Sequence, residues 1–237
     1  MPFATLVHRA SLPSPQISAE QALVLLRSNY GLSGDLRPLG SNQDLNYRVD
    51  SERGRFVLKI CHGDYAVPEI QAQHAALKQL AGHDAVKVPR VITAANGQDL
   101  LTLDIDGQAV HMRLLEYIDG QSLTQLKHLT PELVTGLGRL CAEMDLALAT
   151  FDHPGLERTL QWDARHAPAL VEYLLPVIED EQRRHLVAEV AQQAERRLQP
   201  LKASLPVQAI HMDITDDNVV WQRGARRCRQ LQGVIGF

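Results

Sequence analysis

Cysteine is scarce: three residues in 237, Cys61, Cys141 and Cys228, with no C-x-x-C pair among them. That excludes a disulfide framework and argues against a thiolate zinc site. Aromatic residues make up only 5%, and the 24 basic residues are outnumbered by 28 acidic ones, a net charge of −4. A nucleic-acid binder needs basic surface and stacking platforms, so that class is disfavoured, and no nucleic-acid partner is expected. Long apolar runs are missing as well. Stretches such as Ala22–Leu26 fall far short of the about 20 residues that span a bilayer, so no membrane partner is expected either. The N-terminus lacks a basic start followed by an apolar stretch, which points to a cytoplasmic protein. What is present is ordinary core-forming material: 45% hydrophobic and 22% charged residues, enough for one large domain or two lobes.

The pattern along the chain changes twice. Residues 1–16, with Pro2, Pro13 and Pro15, read as an arm. Ser18 can cap a helix whose apolar face is Ala22, Leu25 and Leu26, stopped at Gly31. From 36 to 117 the signals are strand-like. Two strands flank the turn Asp50-Ser-Glu-Arg-Gly54, Val88–Ala94 and Leu100–Ile105 read as further strands, and Asp106-Gly107 is a two-residue hairpin signal. A helix opened by Pro68 and closed at Gly82 interrupts this sheet. Beyond Asp119-Gly120 the period becomes helical. Leu133, Leu137, Leu140, Met144, Leu148 and Phe151 form one stripe, and Val187, Val190, Ala194, Leu198 and Leu201 another. The chain closes on two apolar strand-like pieces, Ala209-Ile210 and Asn218–Trp221, a basic loop at 223–229, and Gln232–Ile235. The expectation is an N-lobe over 17–118, a hinge near 116–120 and a helical C-lobe over 119–237.

Three places carry chemistry. Lys59 stands in an apolar strand, on the same face as Val57 and Cys61, and must reach solvent, an anion or a carboxylate. By itself it reads first as a snorkelling edge lysine. Glu69 opens the Pro68 helix, where the dipole favours a carboxylate with or without a further role. The richest segment is 210–220, Ile-His-Met-Asp-Ile-Thr-Asp-Asp-Asn-Val-Val. Its oxygen donors suit Mg²⁺, or simply a solvated Asp/Asn turn.

The order of these pieces resembles the aminoglycoside phosphotransferase and choline kinase superfamily. His211-Met-Asp213 with Asn218 resembles its catalytic loop, H-x-D-x-x-x-x-N, with the same Asp-to-Asn step as protein kinases. A polar turn, Gly40-Ser-Asn-Gln-Asp-Leu-Asn46, the strand Phe56-Val-Leu-Lys59, the Glu69 helix and the strand Met112–Gly120 come in the same order. Val57–Ile60, Arg113–Gly120 and His153-Pro154 are most similar to the hydroxylysine-kinase-like branch.

The resemblance implies an α+β, two-lobed, protein-kinase-like fold: an antiparallel-sheet N-lobe and an incomplete helical C-lobe. It implies a kinase passing the γ-phosphate of ATP or GTP to a small hydroxyl-bearing amine or amino-acid-like acceptor, with Mg²⁺. Lys59, held by Glu69, would bind the phosphates, and the turn containing Ser41 and Asn42 would cover them. The connector Glu116–Ile118 would meet the base. Asp213, set by His211, would orient and deprotonate the acceptor, and Asn218 would bind the metal.

Two positions depart from the pattern. Met212 stands where the family has glycine. Gly236, in Gly233-Val-Ile-Gly-Phe237, stands where it has the metal-binding aspartate of G-V-I-D-F-G-D. The second departure, with the early end of the chain, opens an alternative: a catalytically impaired fragment that binds nucleotide weakly or acts through protein contacts. Exposed apolar surface would then favour self-association.

Overall fold

In the computed structural model, the described residues are 12–41, 43–83, 87–160, 162–223 and 229–237. They fall into two compact units, Pro13–Leu156 with Gln208–Phe237, and a second that contains Glu157–Val207.

The larger unit begins with α1 (Ala19–Tyr30). Ser18 and Gln21 close a capping box, and Gly31, at φ +61°, ends the helix in the left-handed conformation that favours glycine. Strands β1 (Gly34–Leu39), β2 (Leu45–Ser51) and β3 (Gly54–His62) follow as a meander. Helix α2 (Val67–Leu80) then leads to β4 (Val91–Ile92), β5 (Leu101–Ile105) and β6 (Gln108–Glu116). The sheet order is β1-β2-β3-β6-β4, with β5 also on β6. Asp106 and Gly107 both take positive φ, as the primed turn between β5 and β6 requires. The strand read over 88–94 shrinks to two residues, because β4 and β5 share β6.

Strand alternation divides the sheet. Leu58, Ile60, Met112 and Leu114 bury one face against Ala22, Leu26 and Tyr30 of α1. Val57 and Leu115 belong to the opposite core. There they join Leu77 and Leu80 of α2, Met144 and Leu148 of α3 (Pro131–Leu148), and the strands β8 (Val219–Arg223) and β9 (Arg229–Val234). A short β7 (Gln121–Ser122), which the sequence pattern does not reveal, pairs with β8. Ala209-Ile210, read as strand-like, is not a strand; Ala209 packs on the core as irregular chain.

After α3 the segment His153–Leu156 runs across the start of α2. A Cβ on the buried Gly155 would run into the carbonyl of Pro68, so only glycine allows this approach to the turn bearing Glu69. The smaller unit holds α4 (Ala167–Leu174) and α5 (Glu181–Leu198), which pack on each other. Val187, Val190 and Leu198 of α5 are nevertheless exposed. The mixed architecture, an antiparallel sheet followed by helices, agrees with the expected α+β class.

Candidate active site

The loop 211–218 and the segment 235–237 build one end of the site. His211 accepts a hydrogen bond on Nδ1 from the Asp213 backbone N–H (3.2 Å), which leaves Nε2 to donate to the Ile235 carbonyl (3.2 Å). Burial holds this imidazole below its ordinary pKa, so it stays neutral and fixes the backbone at Asp213. Its ring meets that of Phe237 edge-on, 4.5 Å between centroids. Asn218 donates through Nδ2 to both the backbone oxygen and Oδ2 of Asp213, each at 2.9 Å. The Ile235 N–H donates to the Asn218 carbonyl (2.8 Å). Asp213 itself is exposed, its carboxylate aimed by Asn218 rather than buried.

Met212, between His211 and Asp213, has φ +71°. That is the left-handed region, which costs a residue with a Cβ about 1–2 kcal/mol, and it explains why glycine suits this position. Met212→Gly is expected to stabilise the protein by about 0.5–1 kcal/mol, after glycine's larger unfolded-state entropy is subtracted. A thermal melt checks this; a lowered midpoint would mean that the loop is unstrained.

From the sheet, Lys59 of β3 reaches the same segment. Its Nζ donates to the main-chain oxygen of Phe237 at 2.6 Å. Phe237 follows Gly236, and a Cβ built on Gly236 would lie 2.5 Å from Oδ1 of Asn218. Lys59, Phe237, Gly236, Asn218 and Asp213 therefore form one contiguous row.

The turn before β2 is braced: the Asp44 N–H donates to the Ser41 Oγ (3.1 Å), and the Tyr65 hydroxyl donates to the Gln43 Oε1 (3.1 Å). Asn42 lies outside the described residues. Glu69 sits in the first turn of α2, half-buried. On the connector, the Glu116 N–H donates to the Arg90 carbonyl (2.8 Å) and the Tyr117 N–H to the Arg55 carbonyl (3.0 Å). The Glu116 side chain takes a two-pronged ion pair from Arg90. These two amides are committed to Arg90 and Arg55, and Ile118 is buried.

The residues do not fit a complete divalent-metal site. Mg²⁺ is usually held by one or two carboxylates together with phosphate oxygens. Beside the Asn218 Oδ1 stands Gly236, which offers no side chain, and Asp217 is turned to accept from Thr215 Oγ1. Among the described residues no group of three His, Cys, Asp or Glu side chains could hold a metal ion.

The sequence reading missed Arg113. It pairs directly with Lys59 across β3 and β6, is 7% exposed, and donates through Nη2 to the same Phe237 oxygen at 3.0 Å. The sequence marks it only as a cation within the run Val110–Leu115; its pairing with Lys59 follows from the strand register.

The strand cation, the helix carboxylate and the H-x-D-x-x-x-x-N loop stand in the order that the phosphotransferase resemblance implies. The chain belongs to the phosphotransferase enzyme family (APH), which it matches over residues 35–237. It is 26% identical to hydroxylysine kinase of Bos taurus over 229 residues, 89% of this chain and 60% of that protein. It is 27% identical to homoserine kinase of Polaromonas naphthalenivorans (strain CJ2), over 94% of this chain and 66% of that protein. The chain thus spans about three-fifths to two-thirds of these curated relatives. Among solved structures, a microcompartment-associated aminopropanol kinase matches its fold with a TM-score of 0.62 at 20% identity, covering 89% of this chain and 66% of that one. The amicoumacin kinase hAmiN matches with a TM-score of 0.63 at 16% identity, covering 93% and 63%. Among the described residues no helix is long and apolar enough to cross a membrane.

Proposed function

We propose that this protein is a small-molecule kinase that transfers the γ-phosphate of ATP or GTP to a hydroxyl group of an amine or amino-acid-like acceptor. The observation that carries the reading is the convergence of Lys59 and the His211–Asn218 loop on one segment, Ile235–Phe237. Phosphoryl transfer depends mainly on positioning and charge neutralisation, and these residues supply both. Lys59 binds the phosphate chain, and Glu69 holds it in place. The turn with Ser41 and Asn42 covers the phosphates, and the carbonyl of Glu116 and the main chain of Ile118 receive the base. Asp213 receives the acceptor's hydroxyl proton, held in place by Asn218 and by the His211 contact to its backbone. Asn218 also presents the amide oxygen expected of a Mg²⁺ ligand. Gly236 leaves that site without a carboxylate beside Asn218. The acceptor class follows the names of the relatives, hydroxylysine kinase and homoserine kinase.

The test is direct. The protein is incubated with ATP or GTP and single acceptors, including hydroxylysine, homoserine and aminopropanol, and products are read by mass spectrometry. A phosphorylated acceptor formed at the expense of nucleotide is the expected result. Absence of any phosphorylated product across the panel rejects the reading.

A further inference from the structure

We propose that Gly155 is a positioning residue for Glu69: the tight turn over residues 153–156 abuts the first turn of α2 and sets the place of that carboxylate. The inference rests on the kinase reading above, in which Glu69 holds Lys59 in place for the phosphates, and deepens it.

The contact is main chain on main chain. A Cβ built on Gly155 would lie 1.9 Å from the Pro68 carbonyl oxygen and 3.0 Å from the Ala72 Cβ. These two residues bracket Glu69, one position before it and three after, on the same turn of helix. No rotamer change moves a carbonyl, so any side chain at 155 has to push the turn away by about 1 Å. Displacements of that size are costly where function depends on positioning, as phosphoryl transfer does.

The turn is braced from behind. The Gly155 N–H donates to His153 Nδ1 (3.0 Å), and the Leu156 N–H donates to the His153 carbonyl (2.9 Å). The His153 ring stacks on Phe151, whose N–H donates to the Leu148 carbonyl at the end of α3. Phe151 packs on the same core as Ala76 of α2 and Ile214, the neighbour of Asp213. At the far end of α2, Gln79 Nε2 donates to the Ala147 carbonyl of α3 (2.6 Å). Helix α2 is thus tied at one end to α3 and at the other to the segment leaving α3. Two ties fix the direction of its axis, and Glu69 lies at the end that Gly155 governs.

Isothermal titration of the whole chain with ATP and Mg²⁺, and separately with adenosine, tests this. Gly155→Ala is expected to weaken ATP by at least about 10-fold, the loss of a contact to a charged group, and to leave adenosine within about twofold. Adenosine reads the fold and the base site without phosphates, so a merely structural role would move both ligands together. In a Glu69→Gln background the same substitution is expected to add less than about twofold, because residues that act through one another are not additive. His153→Ala, which removes the acceptor of the Gly155 N–H, is expected to weaken ATP by about threefold or more. His153→Asn, whose Oδ1 can accept the same hydrogen bond, should restore wild-type affinity within about twofold. If Gly155→Ala does not fold, the two His153 variants decide on the same two ligands. An unchanged ATP affinity in Gly155→Ala, or in both His153 variants, overturns the proposal. So does a parallel loss of ATP and adenosine, a full loss that persists in the Glu69→Gln background, or wild-type ATP affinity in Glu69→Gln alone. These outcomes leave the kinase reading standing. Failure of the wild type to bind ATP overturns both.

Discussion

Asp213→Asn is expected to lower kcat by about 10²–10⁴-fold, the usual worth of a positioned general base, and to leave the Kd for nucleotide within about twofold of the wild type. The substitution exchanges a carboxylate oxygen for an amide at nearly constant shape. Asn218 still finds the Asp213 backbone oxygen, and the 213 N–H still donates to His211, so the loop retains its frame. What disappears is the capacity to receive a proton. Asp213 is exposed and its carboxylate is held by Asn218, whereas the proposed reading gives the phosphates to Lys59, so nucleotide binding is expected to survive the substitution. Single-turnover kinetics with saturating acceptor, beside a nucleotide titration, separates the two quantities. A kcat within about threefold of the wild type would remove Asp213 as the base. A parallel loss of nucleotide affinity would show that the loop, not the proton transfer, had been damaged.

Where the sequence spoke clearly, it did so through periodicity and punctuation. The α1 cap at Ser18, the Asp106-Gly107 turn, and the separation of Val57, Lys59 and Cys61 from Phe56, Leu58 and Ile60 follow from local rules, and the sheet register obeys them. Gly236 lies against Asn218, a closeness that the resemblance implies and no local rule predicts. Arg113 was not legible, because a cation in a strand declares its partner only when the neighbouring strand and its register are known. Lys59 and Arg113 stand 54 positions apart in sequence and face each other only through the β3–β6 pairing. The strand read over 88–94 failed for a related reason. Its residues suit a strand, but most of β6's free edge is taken by β5. Gly155 is opaque in sequence because its necessity lies in the Pro68 carbonyl, on another element.

Behind the two cations, α2 places a histidine whose charge state matters to both. His74 is 4% exposed, and its Nε2 has no hydrogen-bond partner among the described residues. Burial lowers its pKa from 6.5 to about 4. Arg113 on β6, Lys78 on the same helix and Lys59 on β3 push it further down, and Asp99 pulls the other way. The folded protein therefore keeps this imidazole neutral and adds no third cation beside Lys59 and Arg113 at neutral pH. The unfolded chain, free of burial, takes up a proton below about pH 6.5. Between pH 6.5 and about 4 the unfolded state binds more protons than the folded one, so stability must fall as the pH falls through that window. The pKa difference corresponds to about 3 kcal/mol, which is large against the net stability of a domain. His211, lowered in the same direction, adds to the slope. His74→Leu keeps the apolar packing and removes the titration. Urea unfolding from pH 7.5 to 4.5 should then give a visibly flatter stability curve for the variant, with the two proteins diverging only below pH 6.5. Parallel curves across that range would mean that His74 is already protonated in the native state, and the neutral backing of the cation pair would have to be given up.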